Sequence, residues 1–278
     1  YNNGRVYISL DHFWNGAVIA DNMKAYKGKE LVDELNRRVR LEGDIPWNIA
    51  YHPYPEDLFD PRVWEDTTAT NSFNTLRITF KNLNMLSDYF KQSNYLYNGQ
   101  MRRIILSEQG FHSLSNSSAD QKIQAAAYAY AYYKAKFTEG IDSFILHRHV
   151  DHGAEGGLNL GFWTRDSSKS VLYAPGDKKY LYNVFEKIDT GESVSVTDFA
   201  KSIIGIGSWP EVIPGYDAAK LADRTAPAAG NLVKQAISPV ANVNDFETGA
   251  EGWEISEYSQ AMAVVSTCAN LPGTPYSG

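Results

Sequence analysis

The sequence predicts an α/β protein built around a parallel sheet, and three observations support this prediction. Over the first 190 residues, short β-rich runs alternate with longer segments of helical periodicity, which is the pattern of βα units. The run at residues 103–108 contains a continuous apolar stretch, Ile-Ile-Leu, as is typical of a strand buried on both faces. The composition, 43% hydrophobic and 21% charged over 278 residues, is that of a globular chain with a sizeable core.

The first two βα units lie before residue 93. Residues 5–11 have the pattern of a strand, and the segment 29–41 follows with its apolar residues on one helical stripe. Gly43 is expected to end that helix. Residues 47–52 form the second predicted strand, and a long proline-containing loop leads to a helical segment near 82–92.

The next two units have clearer boundaries. The strand at 103–108 precedes a helix at about 119–138, whose apolar residues recur at helical spacing and which Gly140 is expected to end. Residues 142–147 form the fourth predicted strand. A polar loop then leads to the last predicted helix, near 178–188.

Beyond Thr190 the βα pattern weakens, and we predict three further segments after the domain at 1–190. Residues 191–217 are interpreted as a β-rich extension, and residues 218–241, with their Ala, Pro and Gly, as a linker. Residues 242–278 resemble the start of a β-sandwich carbohydrate-binding module.

Charge and composition exclude several classes of function. The net charge of -7, with Lys and Arg scattered, makes nucleic acid an unexpected partner. No run approaches the roughly 20 apolar residues of a membrane span. A single cysteine, Cys268, excludes an internal disulfide framework. Aromatic residues make up 13% of the chain, and several lie beside polar residues in predicted loops, as in sugar-binding clefts.

Polar side chains crowd the ends of all four predicted strands. In parallel α/β sheets, function lies at the carboxyl ends of the strands. All six histidines of the chain lie at these strand ends: His12, His52, His112, His147, His149 and His152. The sequence therefore predicts one polar cleft formed by the four strand ends.

A metal site is an alternative reading of this cluster. His147, His149, Asp151 and His152 are residue types that bind zinc. However, no His-Glu-x-x-His or paired-cysteine spacing supports that reading, and we predict no metal and no cofactor.

Glu108 is the most informative single residue. A carboxylate that ends an otherwise apolar strand is either buried at a cost or serves a polar cleft. Gly110 follows closely and allows the backbone to pass near a ligand. The alternative is an exposed loop glutamate without a function.

Two short motifs resemble a known group of enzymes. The run Ser107-Glu108-Gln109-Gly110-Phe111 resembles the nucleophile strand of the clan A retaining glycoside hydrolases, in which a glutamate closes the seventh strand of a (β/α)8 barrel of TIM type. His52-Pro53-Tyr54 resembles the His-x-Tyr element of the sixth strand in that clan, whose tyrosine hydrogen-bonds the nucleophile. The wider chain is similar to a family of bacterial proteins placed near these glycosidases.

The resemblance implies a secreted or periplasmic glycosidase with a carbohydrate substrate and no cofactor. Glu108 would be the nucleophile of a retaining reaction, and Tyr54 would orient it. Trp14 and Trp163 would stack on sugar rings. Sugar hydroxyls would be bound by the remaining polar residues of the strand ends: Asp11, His12, His52, His147, His149 and Asp151.

The resemblance also predicts that part of the enzyme is missing. If the four strands are the fifth to eighth of a barrel, the first half is expected upstream or on another polypeptide. In the clan the acid/base glutamate closes the fourth strand as Asn-Glu, a dipeptide that is absent here, so Asp11 is the only local substitute we identify. A non-catalytic carbohydrate-binding relic of a barrel therefore remains an alternative.

Overall fold

The structure is a computed structural model that describes residues 6–16, 18–20 and 23–221, with side chains described outside residues 17–25. The chain divides into two units, residues 1–224 and 225–278. The predicted carbohydrate-binding segment 242–278 and most of the predicted linker 218–241 lie outside the described residues.

The described chain is a mixed α/β protein, as predicted. Its strands are β1 (Val6–Asp11), β2 (Val18–Ala20), β3 (Met23–Ala25), β4 (Trp47–His52), β5 (Ile104–Gln109), β6 (Ile141–Leu146), β7 (Trp163–Arg165) and β8 (Pro175–Lys178). Its helices are α1 (Gly28–Leu41), α2 (Asn84–Phe90), α3 (Ser118–Phe137), α4 (Tyr180–Lys187), α5 (Ser193–Val196) and α6 (Asp198–Ile204). The four predicted strands and four predicted helices are all present, most of them within two residues of the expected bounds.

A four-stranded parallel sheet forms the centre, in the order β1-β4-β5-β6. Asp11 lies opposite His52 at the ends of β1 and β4, and Gln109 lies opposite Leu146 at the ends of β5 and β6. Because neighbouring strands are parallel and sequential, their carboxyl ends lie along one edge of the sheet. That edge collects the polar strand ends that the sequence singles out.

Helix α3 is the main helix of the core. Its residues 124–135 are all buried, so it is covered on every side rather than along one stripe. Ser117 caps it, with its hydroxyl oxygen accepting from the backbone N–H of Asp120 at 3.2 Å. The hydroxyl of Tyr133 lies 2.9 Å from the hydroxyls of Ser193 and Thr197, which ties α3 to the last helices.

The prediction of a β-rich extension at 191–217 is wrong. Residues 193–196 and 198–204 form α5 and α6, and α6 buries Ala200 completely. The alternating Ser and Val at 193–196 have the period of a strand, but packing against α3 overrides that weak local preference. Gly205, with φ of 82°, ends α6 in the left-handed conformation.

Two small antiparallel pairs were not predicted from sequence. β2 pairs with β3, and β7 pairs with β8, where Trp163 lies opposite Lys178. The β8 segment Pro-Gly-Asp-Lys has little intrinsic strand preference, so its conformation depends on pairing with β7. Within the described ranges, no helix combines the length and the apolarity that a membrane crossing requires.

Candidate active site

Glu108 and Tyr54 meet at the carboxyl edge of the sheet. Glu108 is the penultimate residue of β5 and is half-buried, while Tyr54 lies two residues beyond β4. The Tyr54 hydroxyl donates a hydrogen bond to Oε1 of Glu108 at 3.0 Å. Burial, and after it the negative charge of Glu108, raises the pKa of Tyr54 far above its usual range. The hydroxyl therefore stays protonated and serves as a permanent donor to the carboxylate.

His12 holds the backbone of Tyr54. Its Nδ1 lies 3.1 Å from the Tyr54 carbonyl oxygen, and a carbonyl only accepts, so Nδ1 carries the proton and Nε2 is left as an acceptor. Burial lowers the pKa of His12, which favours the neutral ring. The backbone N–H of His12 in turn donates to Oδ1 of Asp11 at 2.7 Å. Asp11 itself is exposed at the strand end.

His52 and His149 are free to bind a ligand. His52 is half-buried at the end of β4, and His149 is exposed after β6. Among the described residues, neither ring has a hydrogen-bond partner, although the His149 ring lies 6.4 Å from that of Phe162. Both remain predicted substrate-binding residues.

Sequence reasoning missed Glu155, which belongs to this cluster. Its Oε1 lies 2.7 Å from Nε2 of His147, and its Oε2 lies 3.0 Å from Nε of Arg148. Its side chain is 17% exposed, and its charge also contributes to the raised pKa of Tyr54. Glu155 lies in a loop beside two glycines and not at a strand end, so no sequence signal distinguished it.

Trp14 does not face a cleft, and its predicted role as a stacking platform is wrong. The side chain is 0% exposed, and its indole N–H donates to the carbonyl of Phe73 at 3.0 Å. Its ring packs edge-on against Tyr89 and Phe90. The chain turns after β1 so that this residue points into the core beneath α1, and a large aromatic side chain gains more from that burial than from exposure.

The predicted sugar-binding role of Asp151 is also wrong, because this residue is half of a buried ion pair. Its Oδ1 lies 2.7 Å from Nζ of Lys179, whose side chain is 0% exposed, and the same oxygen accepts from the N–H of Gly161 at 2.8 Å. A carboxylate held in this way satisfies a buried ammonium, so it is not free for a substrate hydroxyl.

The ring of Trp163 contacts Tyr182 and has Lys178 over one face. Its ring packs edge-on against Tyr182, with centroids 5.6 Å apart, and Nζ of Lys178 lies 5.5 Å from the ring centroid. The side chain remains half-buried, so stacking on a sugar stays a prediction for this residue.

The zinc alternative gains no support from the described part of the chain. In residues 6–16, 18–20 and 23–221, no three His, Cys, Asp or Glu side chains are grouped so that they could hold a metal ion. His147 directs Nε2 to Glu155, and Asp151 is bound to Lys179.

Comparison with known proteins identifies a family but no activity. Residues 1–212 match the family of unknown function DUF5722, and the chain belongs to that family. No curated protein and no solved structure matches the chain.

Proposed function

We propose that this member of the DUF5722 family is a retaining glycoside hydrolase that cleaves an oligo- or polysaccharide with Glu108 as its nucleophile. One observation carries the proposal: the 3.0 Å hydrogen bond from the Tyr54 hydroxyl to the half-buried Glu108, at the carboxyl edge of a parallel sheet. This arrangement fixes the carboxylate at the edge where α/β enzymes act.

The proposed reaction has two steps. Oε2 of Glu108 attacks the anomeric carbon while Tyr54 holds Oε1, and the bond to the leaving oxygen breaks as a second carboxyl protonates it. A glycosyl-enzyme ester results. The second carboxyl, now ionised, removes a proton from water, which attacks the anomeric carbon and releases Glu108. His52 and His149 would bind sugar hydroxyls, and Trp163 would stack on a ring.

Two further carboxylates, Asp11 and Glu155, act electrostatically on Tyr54 and are the local candidates for the acid/base. Both oxygens of Glu155 face basic groups, His147 and Arg148, and are therefore not open to a leaving group. Asp11 is exposed and, among the described residues, accepts a single backbone hydrogen bond, so its carboxyl group is accessible to a substrate. We therefore favour Asp11 over Glu155 within the described chain.

We further propose that the sheet is part of a (β/α)8 barrel. Four parallel strands in sequential order, joined by helices, are what half of such a barrel contains. The outer strands β1 and β6 each have one unpaired side in the described chain, and Val6 and Ile145 on them are both 51% exposed. Further strands, from this or another polypeptide, would cover these edges.

The test is activity with and without the carboxylate at position 108. We expect wild-type protein to hydrolyse members of a panel of aryl glycosides and polysaccharides, and Glu108→Gln to lose at least about 1,000-fold in kcat. With Glu108→Ala, azide should restore turnover and give a glycosyl azide of inverted configuration, because azide replaces the missing nucleophile. Glu65→Gln, which removes an exposed carboxylate elsewhere, is the matched control. Full activity in folded Glu108→Gln would refute the assignment.

A non-catalytic carbohydrate-binding role is the second candidate. It is favoured by the contacts of Glu155, whose two oxygens already face His147 and Arg148 and so are not open to a leaving group. Oligosaccharide binding to wild-type protein without turnover of any substrate in the panel would support this role over hydrolysis.

A further inference from the structure

A polar cavity lies among the loops at the edge of the sheet where Glu108 is found. It has a volume of about 310 Å³, and its walls come from the loops that follow β5 and β6 and from β7. The lining residues that bear on its chemistry are Ser115, Asn116, His152, Asn159, Arg165 and Ser167.

Arg165 supplies to this cavity a positive charge that has no direct partner, although Asp166 acts on it at longer range. Among the described residues, its guanidinium has no ion pair and no hydrogen-bond partner. The neighbouring carboxylate, Asp166, accepts from the N–H and hydroxyl of Ser168 at 2.9 and 2.6 Å. Asp151, in the cavity wall, is neutralised by Lys179. A guanidinium that lines a polar cavity and has no partner in the described chain offers N–H donors to an acceptor from outside.

The backbone is shaped to hold this guanidinium. A Cβ atom added at Gly153 would lie 2.6 Å from Nη1 and 2.8 Å from Cζ of Arg165. Only glycine lets the planar group lie against the chain at this point. Gly153 thus leaves room for the guanidinium of Arg165 in the cavity wall.

Other groups around the cavity also favour an anion. Nδ1 of His152 accepts from the N–H of Ala154 at 3.2 Å, so the neutral ring carries its proton on Nε2 and is a donor. Ser115 and Asn116 precede the N-terminus of α3, the positive end of a 20-residue helix. Asp120 in its first turn offsets part of that charge, and its carboxylate accepts from Ser115.

We propose that this cavity binds an anionic substituent of the substrate, a uronic acid carboxylate or a sulfate ester, with Arg165 as the principal contact. An arginine fork matches the paired oxygens of either group. The inference rests on the proposed function and deepens it: the glycosidase acts on an acidic polysaccharide, and the strand ends that place Glu108 at the scissile bond also place Arg165 beside a charged sugar.

Binding to protein that carries Glu108→Gln tests the proposal independently of turnover. Isothermal titration would use oligogalacturonates for the carboxylate, sulfated galactan oligosaccharides for the sulfate ester, and neutral galactan oligosaccharides of equal length. We expect Arg165→Gln to weaken binding of one anionic series roughly 10–100-fold. Lys169→Gln removes an exposed charge from the same loop and should change affinity less than twofold. Equal losses in both variants, or neutral ligands that bind as tightly as anionic ones, would overturn the site.

Two measurements guard against a folding defect in Arg165→Gln. Arg165→Lys keeps the charge but loses the fork, and should still lose most of the affinity. In the Arg165-containing protein, inorganic sulfate should compete with the anionic ligand more strongly than chloride does at equal ionic strength; equal competition would count against a built site. If binding depends on Arg165 but wild-type protein hydrolyses no substrate, the anion site is supported and the proposed hydrolysis is refuted. If neutral glycans are hydrolysed and substitution of Arg165 has no effect on binding, the proposed hydrolysis is supported and the anion site is refuted.

Discussion

Replacing Asp151 with Asn should destabilise the protein strongly. Asn has nearly the same shape and retains an oxygen for the Gly161 N–H, which Asp151 accepts at 2.8 Å. What the variant loses is the negative charge 2.7 Å from Nζ of Lys179. Asp151→Asn therefore leaves a buried ammonium without a counterion.

The expected cost follows from the burial of the pair. The side chain of Lys179 is 0% exposed and that of Asp151 is 7% exposed, so water cannot replace the lost partner. Removing one member of such a pair costs about 3–5 kcal/mol in unfolding free energy. In a domain of this size each kcal/mol lowers Tm by about 2–4 °C, so we expect a fall of roughly 6–20 °C.

Urea and thermal denaturation followed by circular dichroism would measure the effect. Adding Lys179→Met to Asp151→Asn should recover much of the loss, because the unpaired charge is then removed. Glu192→Gln breaks the exposed pair with Lys187, which is 2.8 Å long, and should change stability far less than Asp151→Asn does. If the Tm of Asp151→Asn were unchanged from that of wild type but the variant bound sugar poorly, the ion pair would not stabilise the fold. Asp151 would then be a substrate-binding residue.

Three further predictions concern Tyr54, Asp66 and Trp14. Tyr54→Phe loses a hydrogen bond to a charged group, so kcat should fall about 10–100-fold with KM within about twofold, as measured with an aryl glycoside; an unchanged kcat would contradict the role of Tyr54. Burial raises the pKa of Asp66 from 3.8 to about 7, so the folded protein keeps a proton that the unfolded chain releases near pH 4. The unfolding free energy of wild type should therefore fall by up to about 4 kcal/mol as pH rises from about 4 to about 7, and urea denaturation of Asp66→Asn should lack that slope. Trp14→Ala should lower the unfolding free energy measured by urea denaturation by about 3–5 kcal/mol without changing oligosaccharide affinity. A stable variant that no longer binds oligosaccharide would instead support a substrate-binding role for Trp14.

The sheet was predictable because buried parallel strands leave a strong local pattern. The third strand was expected at 103–108 and runs over Ile104–Gln109, and the second matches at 47–52. Parallel strands joined in sequence must end at the same edge, so the proximity of Tyr54 and Glu108 follows once the strands are placed. The predicted neighbourhood of these two residues is confirmed by their hydrogen bond.

Side-chain roles that depend on distant partners were not predictable. Trp14 and Asp151 both follow predicted strands, as Tyr54 does, but residue type alone does not show which way a side chain points after the strand ends. The partner of Asp151 is Lys179, 28 residues further along the chain. Glu155 gave no signal because its neighbours in space, His147 and Arg148, are brought to it by the turn of a glycine-containing loop.

Several strand ends act on one residue, Tyr54, and this convergence bears on the proposed chemistry. His12 from β1 holds its carbonyl, Glu108 from β5 accepts from its hydroxyl, and the charges of Asp11 and Glu155 raise its pKa. Arg148 lies against Glu155, and the buried His12 is held neutral, so Glu108 and Asp11 are carboxylates beside Tyr54 that have no ion-pair partner among the described residues. Glycoside cleavage passes through a transition state with oxocarbenium character, whose positive charge carboxylates placed in this way stabilise. Phosphoryl transfer would require cations at the same place, so the carboxylates around Tyr54 favour a glycoside over a phosphate ester as the group bound there.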